Sequence, residues 1–261
     1  EKYDIIILNN CRVRYHYIMD FVNLLKRNEI KCGIIHHDLG WGIVNTANSH
    51  YHGDWEEAAH RTLESIKELR DSVNNSPLVN YGHLMMNLDS PIYFQPDFII
   101  GNTEWSNRFI DIDESTPKYV LHPIIEKPPK EYPLLDKVNI TMLNPLYHKG
   151  RSYMVDLIND YDHKWTYRVL MGSYGNGKNT KDFMRMIEDS WAMKEGRVEI
   201  IEYVDNIYSA FASTDIFIFP SRYEGYGMAA IEPMLIGKPV IVQDYPSIIE
   251  AVGDGAYIIK Y

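Results

Sequence analysis

Cysteine is scarce in this chain of 261 residues, with Cys11 and Cys32 the only two. Two thiols cannot build a disulfide framework, and these lack the C-x-x-C spacing of a redox or zinc motif, so a reducing compartment suits them. Long apolar runs are missing too. No stretch approaches the roughly 18 to 20 apolar residues that a membrane-spanning helix needs. The opening Glu-Lys-Tyr-Asp leads straight into an apolar strand and does not read as a leader peptide. Positive charge is in deficit: 26 Lys and Arg against 36 Asp and Glu give a formal net charge of −10. That balance argues against a nucleic-acid partner. The expectation is a soluble, cytoplasmic protein. "LLKRNEIK" (24–31) supplies only a modest basic patch, which leaves room for peripheral membrane contact. Internal repeats and low-complexity tracts are absent as well.

What is present is a rhythm. Hydrophobic residues make up 45% and charged residues 24%, as in an ordinary globular protein, and the length allows two modest domains. "YDIIILNN" (3–10) reads as a buried strand, "YHYIMDFVNLLKRN" (15–28) as a helix and "KCGIIHHD" (31–38) as a second strand. A helix is expected over 54–73, where Asp54 and Glu57 form a capping-box pattern. "PDFIIGNTEWSNRFI" (96–110) reads as strand, turn and helix. Residues 120–137 carry Pro123, Pro128, Pro129 and Pro133 with little periodicity, the pattern of a linker. Beyond it, apolar strands and helix-length segments alternate to the end of the chain. Such alternation argues for parallel α/β sheets buried on both faces. The expected architecture is two Rossmann-like domains, over 1–126 and 127–261. Ligands of such sheets sit at the carboxyl ends of strands.

"FPSRYEGYGMAAIEPMLIGKPVIV" (219–242) is the stretch in which those ends carry chemistry. The strand before it runs out at Ser221, so Arg222 to Gly227 fall at the carboxyl edge. Gly225 and Gly227 remove side chains where a ligand would meet backbone. A helix starting near Met228 directs unpaired N–H groups at the same spot, which suits a phosphate. Glu224 in the loop can accept hydrogen bonds from hydroxyls, and Glu232, about two turns deeper, can hold a second diol. A diphosphate between two polyols describes a nucleotide sugar. The spacing alone also fits a helix-entry turn with two solvated carboxylates, and it is the wider context that weighs against this.

That context is a resemblance. "DIFIFPSRYEGYGMAAIEPMLIGKPVIVQDYPSIIEAVGDGAYII" resembles the donor-binding half of the retaining GT-B glycosyltransferases of family 4, the glycogen-synthase and sucrose-synthase-like group. In that group a Pro-Ser strand end precedes Glu-x7-Glu with Gly-Phe-Gly inside, then Gly-x-Pro-Val. Here Tyr226 replaces the usual Phe, and Pro233 the usual Ala. The resemblance implies that Glu224 contacts the donor sugar, that the amides around Gly225, Tyr226 and Gly227 contact sugar and phosphate, and that Glu232 binds the ribose. "LNPLYHKG" (143–150) is similar to the family's Gly-Arg-x-x-x-x-Lys-Gly segment. Lys149 takes the place of the lysine that neutralises the donor diphosphate, whereas Asn144 stands where an arginine is common. Gly172 in "VLMGSYGNG" (169–177) matches a glycine loop at the base-binding edge, and Arg222 would help hold the departing diphosphate. "GIIHHDLGWG" (33–42) resembles the first-domain strand ending in His-Asp, with His37 facing the donor sugar and leaving group. The first domain of the family normally opens with a strand and glycine-rich loop before this point, and a closing helix normally returns to it. The expectation is therefore a shortened or trimmed chain.

The resemblance implies sugar transfer with retention of configuration from a nucleotide-sugar donor to a carbohydrate, lipid-linked or other hydroxyl acceptor. Neither a metal nor another cofactor is needed for that chemistry. Two rival readings stand beside it. Six of the ten histidines lie in the first 60 residues, and His50-x-His52-x-Asp54 opens like the zinc motif of a metal hydrolase. Trp55 occupies the position where that motif wants a further histidine. The other reading is a nucleotide-sugar-binding or partner protein without catalysis.

Overall fold

The computed structural model describes residues 3–9, 21, 24–36, 96–108, 115–126, 128, 138–160, 165–172, 177–222 and 224–260. The chain divides into two compact units, Glu1–Pro123 and Ile124–Tyr261. The first unit holds a four-stranded parallel sheet in the order β1-β2-β3-β4. Its strands are β1 (Ile5–Asn9), β2 (Lys31–His36), β3 (Phe98–Gly101) and β4 (Lys118–Val120). Residues 24–27 are helical ahead of β2, and Leu25 packs there with Cys32 and Ile34. A short helix, α1 (Glu104–Arg108), follows β3. Thr103 caps it by accepting from the Ser106 N–H at 3.0 Å. β4 was not foreseen, because three residues before a proline-rich segment carry no periodicity. The sheet calls it into being through its pairing with β3.

The second unit is a doubly wound sheet. Its strands are β5 (Asn139–Leu143), β6 (Thr166–Leu170), β7 (Val198–Ile201), β8 (Ile216–Phe219), β9 (Val240–Gln243) and β10 (Tyr257–Ile259). All pair in parallel, in the order β10-β9-β8-β5-β6-β7. The connecting helices are α2 (Arg151–Asp160), α3 (Gly177–Ile187), α4 (Trp191–Lys194), α5 (Ile207–Ala212), α6 (Met228–Met234) and α7 (Pro246–Val252). Strand sequences such as Ile-Phe-Ile-Phe and Val-Ile-Val-Gln suit burial on both faces. Ile140, Met142, Met154, Ile158, Tyr167, Val169, Phe183 and Ile187 form the core beneath α2 and α3. Residues 180–196 have the length and pattern of a single helix, yet the segment is broken into α3 and α4. Ser190 breaks it: its side chain accepts from the Met193 N–H at 3.2 Å and starts a new helix.

The two units share one device at a strand entrance. Asp97 ahead of β3 accepts from the Cys32 N–H at 2.7 Å and donates its own N–H to the Cys32 carbonyl. Asp215 ahead of β8 does the same to Asn139 at the start of β5, also at 2.7 Å. Each carboxylate satisfies an N–H at the amino edge of its sheet and sets the register of the neighbouring strand. In the second unit this fixes β5 against β8, the pair where the strand order reverses. Opposite that clamp, at the carboxyl ends of the same two strands, lies the switch point of the sheet.

Candidate functional site

Two loops leave the switch point, one from β5 and one from β8. The β5 loop passes through a 3-10 turn, Tyr147–Lys149, and closes at Gly150 with φ 77°. A Cβ on Gly150 would overlap the Pro220 carbonyl oxygen, so the turn is seated directly on the end of β8. That close approach brings Lys149 to Glu224, 75 residues away, and the two form an ion pair through Glu224 Oε1. Ser221 donates to the same oxygen at 2.9 Å. The Glu224 carbonyl accepts from Ser247 Oγ at 2.7 Å, which ties the loop to the first turn of α7. Both serines are fully buried. Lys149 and Glu224 are not: their side chains keep 22% and 14% exposure, enough for a ligand to reach them.

Residues 225–227 carry the β8 loop into α6. Gly227 is the N-cap in the left-handed region, at φ 92°. A Cβ there would meet Ile248 and Phe219 at an ordinary 3.5 Å, so backbone conformation and not space demands glycine. Burial raises the pKa of the Tyr226 phenol, and Glu250 on α7 raises it further. Glu232 lies inside α6, and burial raises its carboxyl above the ordinary range. Tyr208 on α5 lies within electrostatic reach of it. That phenol is raised first by burial and then by the charges of Glu232 and Glu126, and its hydroxyl donates to the Glu126 carbonyl at 3.1 Å. Pro233 follows Glu232 within the helix, and α6 ends at Met234 with Leu235 as its C-cap.

Asn144 and Gly172, proposed separately from the sequence, come together at the ends of β5 and β6. Asn144 has φ 53° and donates its N–H to the Leu170 carbonyl at 2.7 Å. Its side chain lies over Gly172, itself at φ 68°, where any Cβ would overlap Asn144 Oδ1. That oxygen is buried without a hydrogen-bond partner among the described residues. Arg222 follows Ser221 with its Nε buried. His37, and with it His50, His52 and Asp54, lies outside the described residues. Among the described residues, no group of three His, Cys, Asp or Glu side chains is arranged to hold a metal ion.

Ser247 and Tyr208 were not picked out from the sequence. Ser247 follows a proline at a helix start, where a serine ordinarily serves as a local cap, so its reach to Glu224 carried no signal. Tyr208 is one tyrosine among twenty. Ser221 was visible as part of the Pro-Ser strand end, but its bond to Glu224 was not.

Residues 133–260 match the model of the family of glycosyl transferases group 1. A Klebsiella pneumoniae protein described as an uncharacterized 41.2 kDa protein in the cps region is 29% identical over 124 residues, 46% of this chain and 31% of that protein. The Escherichia coli O-antigen biosynthesis glycosyltransferase WclY is 32% identical over 90 residues, 34% of this chain and 24% of its own. The chain thus spans under a third of the length of these relatives. Among solved structures, Anabaena HepE in complex with UDP and glucose covers 99% of the chain, with a TM-score of 0.65 and 15% identity, over 64% of its own length. TarM covers 98% of the chain with a TM-score of 0.62 and 16% identity, over 44% of its own length. The fold is accordingly GT-B, built from two Rossmann-like units with parallel sheets. No helix among the described residues is long and apolar enough to cross a membrane.

Proposed function

We propose that this chain is a glycosyltransferase that moves a sugar from a nucleotide-sugar donor to an acceptor hydroxyl with retention of configuration. One observation carries the reading: Lys149 and Glu224 meet at the switch point of a sheet whose fold and family match are those of sugar transfer. A cation beside a carboxylate, with glycine backbone next to both, suits a ligand that carries phosphate and hydroxyls on adjoining groups. The departing diphosphate is held by Lys149, Arg222 and the first-turn N–H groups after Gly227, because charge develops on it as the glycosidic bond breaks. Glu224 accepts from hydroxyls of the donor sugar. Glu232, with Tyr208 beside it, accepts from the ribose diol. Asn144 contributes a neutral amide oxygen at the strand end.

Retention follows from a same-face displacement, in which the leaving phosphate oxygen takes the acceptor's proton as the acceptor oxygen bonds to the anomeric carbon. No second carboxylate is then needed as a base. His37 is assigned to the donor sugar near its reacting carbon, and the acceptor to the first unit. The reaction is assigned no metal. HepE, solved with UDP-glucose, supports a donor of the uridine-diphosphate hexose kind, and relatives named for O-antigen biosynthesis support a carbohydrate acceptor.

Thermal shift across a panel of nucleotide sugars, followed by NMR of the glycoside formed, tests the reading. A donor should raise the melting temperature, and the product should keep the donor's anomeric configuration. A donor that binds without any transfer would leave a binding protein. Stabilisation by no nucleotide sugar would reject the proposal.

A further inference from the structure

The Lys149–Glu224 ion pair does more than mark the site. Without a ligand, the lysine that is to meet phosphate and the carboxylate that is to meet sugar neutralise each other. Ser221 holds Glu224 Oε1 at 2.9 Å independently of the lysine, and Ser247 holds the Glu224 carbonyl at 2.7 Å. If Lys149 turns away, therefore, the carboxylate stays where it is.

From this we infer that Glu224 is a built-in competitor for Lys149, which lets the site favour the intact donor over the bare diphosphate product. The inference rests on the donor reading above. An intact nucleotide sugar offers both halves of an exchange. Its diphosphate replaces the carboxylate at Lys149, and its sugar hydroxyls replace the ammonium at Glu224. One charge-assisted contact is lost and two are gained. A nucleoside diphosphate offers only the first half. It must draw Lys149 away and leave a largely covered carboxylate, with Ser221 as its remaining donor among the described residues, facing an anion. Once the sugar has left for the acceptor, Glu224 recaptures Lys149 and the product loosens. The pair thus acts on product release as well as on binding.

The test is calorimetric titration with inorganic pyrophosphate, which needs no knowledge of the base. The proteins are wild type, Glu224→Gln, Lys149→Met and the double variant. Gln keeps the size of the side chain and the acceptor for Ser221, so the loop stays in place. Glu224→Gln is expected to bind pyrophosphate roughly three- to tenfold more tightly than wild type, as a partly covered ion pair is released. In the Lys149→Met background the same substitution should change affinity by less than about twofold, since the competition runs through the lysine. Unchanged or weaker binding by Glu224→Gln overturns the inference. So does an equal gain in both backgrounds, which would mean simple repulsion of the anion by the carboxylate. If nucleotide sugars bind and transfer but these signs fail, only this inference falls. If neither pyrophosphate nor any nucleotide sugar binds, the donor reading falls with it.

Discussion

Replacing Glu232 by Gln removes one charge and almost no volume, and the site predicts opposite effects on stability and on binding. Burial raises the folded pKa of Glu232 above its ordinary value. The folded protein therefore holds that proton more tightly than the unfolded chain, and stability falls as pH rises from the ordinary carboxylate range through the raised folded value. Above that value the wild type carries a partly buried charge that Glu232→Gln does not. The variant without ligand should melt higher than wild type at neutral pH, and the gap should close as the medium is acidified below the ordinary carboxylate range. Nucleotide binding should move the other way. Hydrogen bonds to a charged acceptor contribute about 1.5–3 kcal/mol, so losing the charge at the ribose should weaken a nucleoside diphosphate roughly ten- to a hundredfold. Melting curves between acid and neutral pH, with and without ligand, read both effects. A variant no more stable than wild type at neutral pH would refute the burial argument. One that keeps full nucleotide affinity would refute the ribose assignment.

Three further outcomes follow from particular contacts. Gly150→Ala combines a left-handed φ of 77° with overlap on the Pro220 carbonyl. It should cost more than about 2 kcal/mol in denaturant unfolding and also part Lys149 from Glu224, and an unchanged midpoint would show that the turn yields freely. Asp215→Ala leaves the Asn139 N–H without its side-chain acceptor; it also takes away the charge that partly offsets burial, which lowers the pKa of Lys238. A loss of about 1–3 kcal/mol is expected in the same assay, and no loss would mean that water replaces the carboxylate. Finally, if His50, His52 and Asp54 hold no metal, chelator should leave transfer intact and the purified protein should contain no stoichiometric zinc. About one tightly held zinc per chain would favour the hydrolase reading.

The second unit was largely legible because its strands are mostly apolar and β5 to β9 are each followed by a turn signal and a helix-length segment. Ile216–Phe219 and Val240–Gln243 announce themselves in that way. What failed was local. Ser190 splits a helix that periodicity runs straight through, since a serine hydroxyl competes for backbone N–H groups in a manner that hydrophobic spacing does not register. β4 is three residues long and exists because β3 offers it an edge. In the first unit the expected helix over 54–73 and the residues His37, His50, His52 and Asp54 fall outside the described residues.

The candidate site divides along a different line. Glu224 and Glu232 share one loop and helix, so their spacing was open to reading, as was the need for glycine between them. Lys149 belongs to another loop, and only a resemblance linked it to a phosphate; its contact with Glu224 cannot be read from any spacing in the chain. That contact depends on strand order. β8 must return beside β5, Asp215 must clamp it there, and Gly150 must let the two loops touch at Pro220. Asn144 makes the same point from the other side. As a lone residue it read as an arginine gone missing. Beside Gly172 it is half of a matched pair, a left-handed asparagine over a glycine that has no Cβ to displace it. Placing arginine at 144 without changing that neighbourhood would put a longer side chain on a left-handed backbone that asparagine tolerates better. The expected result is a less stable protein with no recovery of diphosphate affinity, measured by melting and by pyrophosphate titration. Tighter binding at undiminished stability would show instead that Asn144 is only a lost cation.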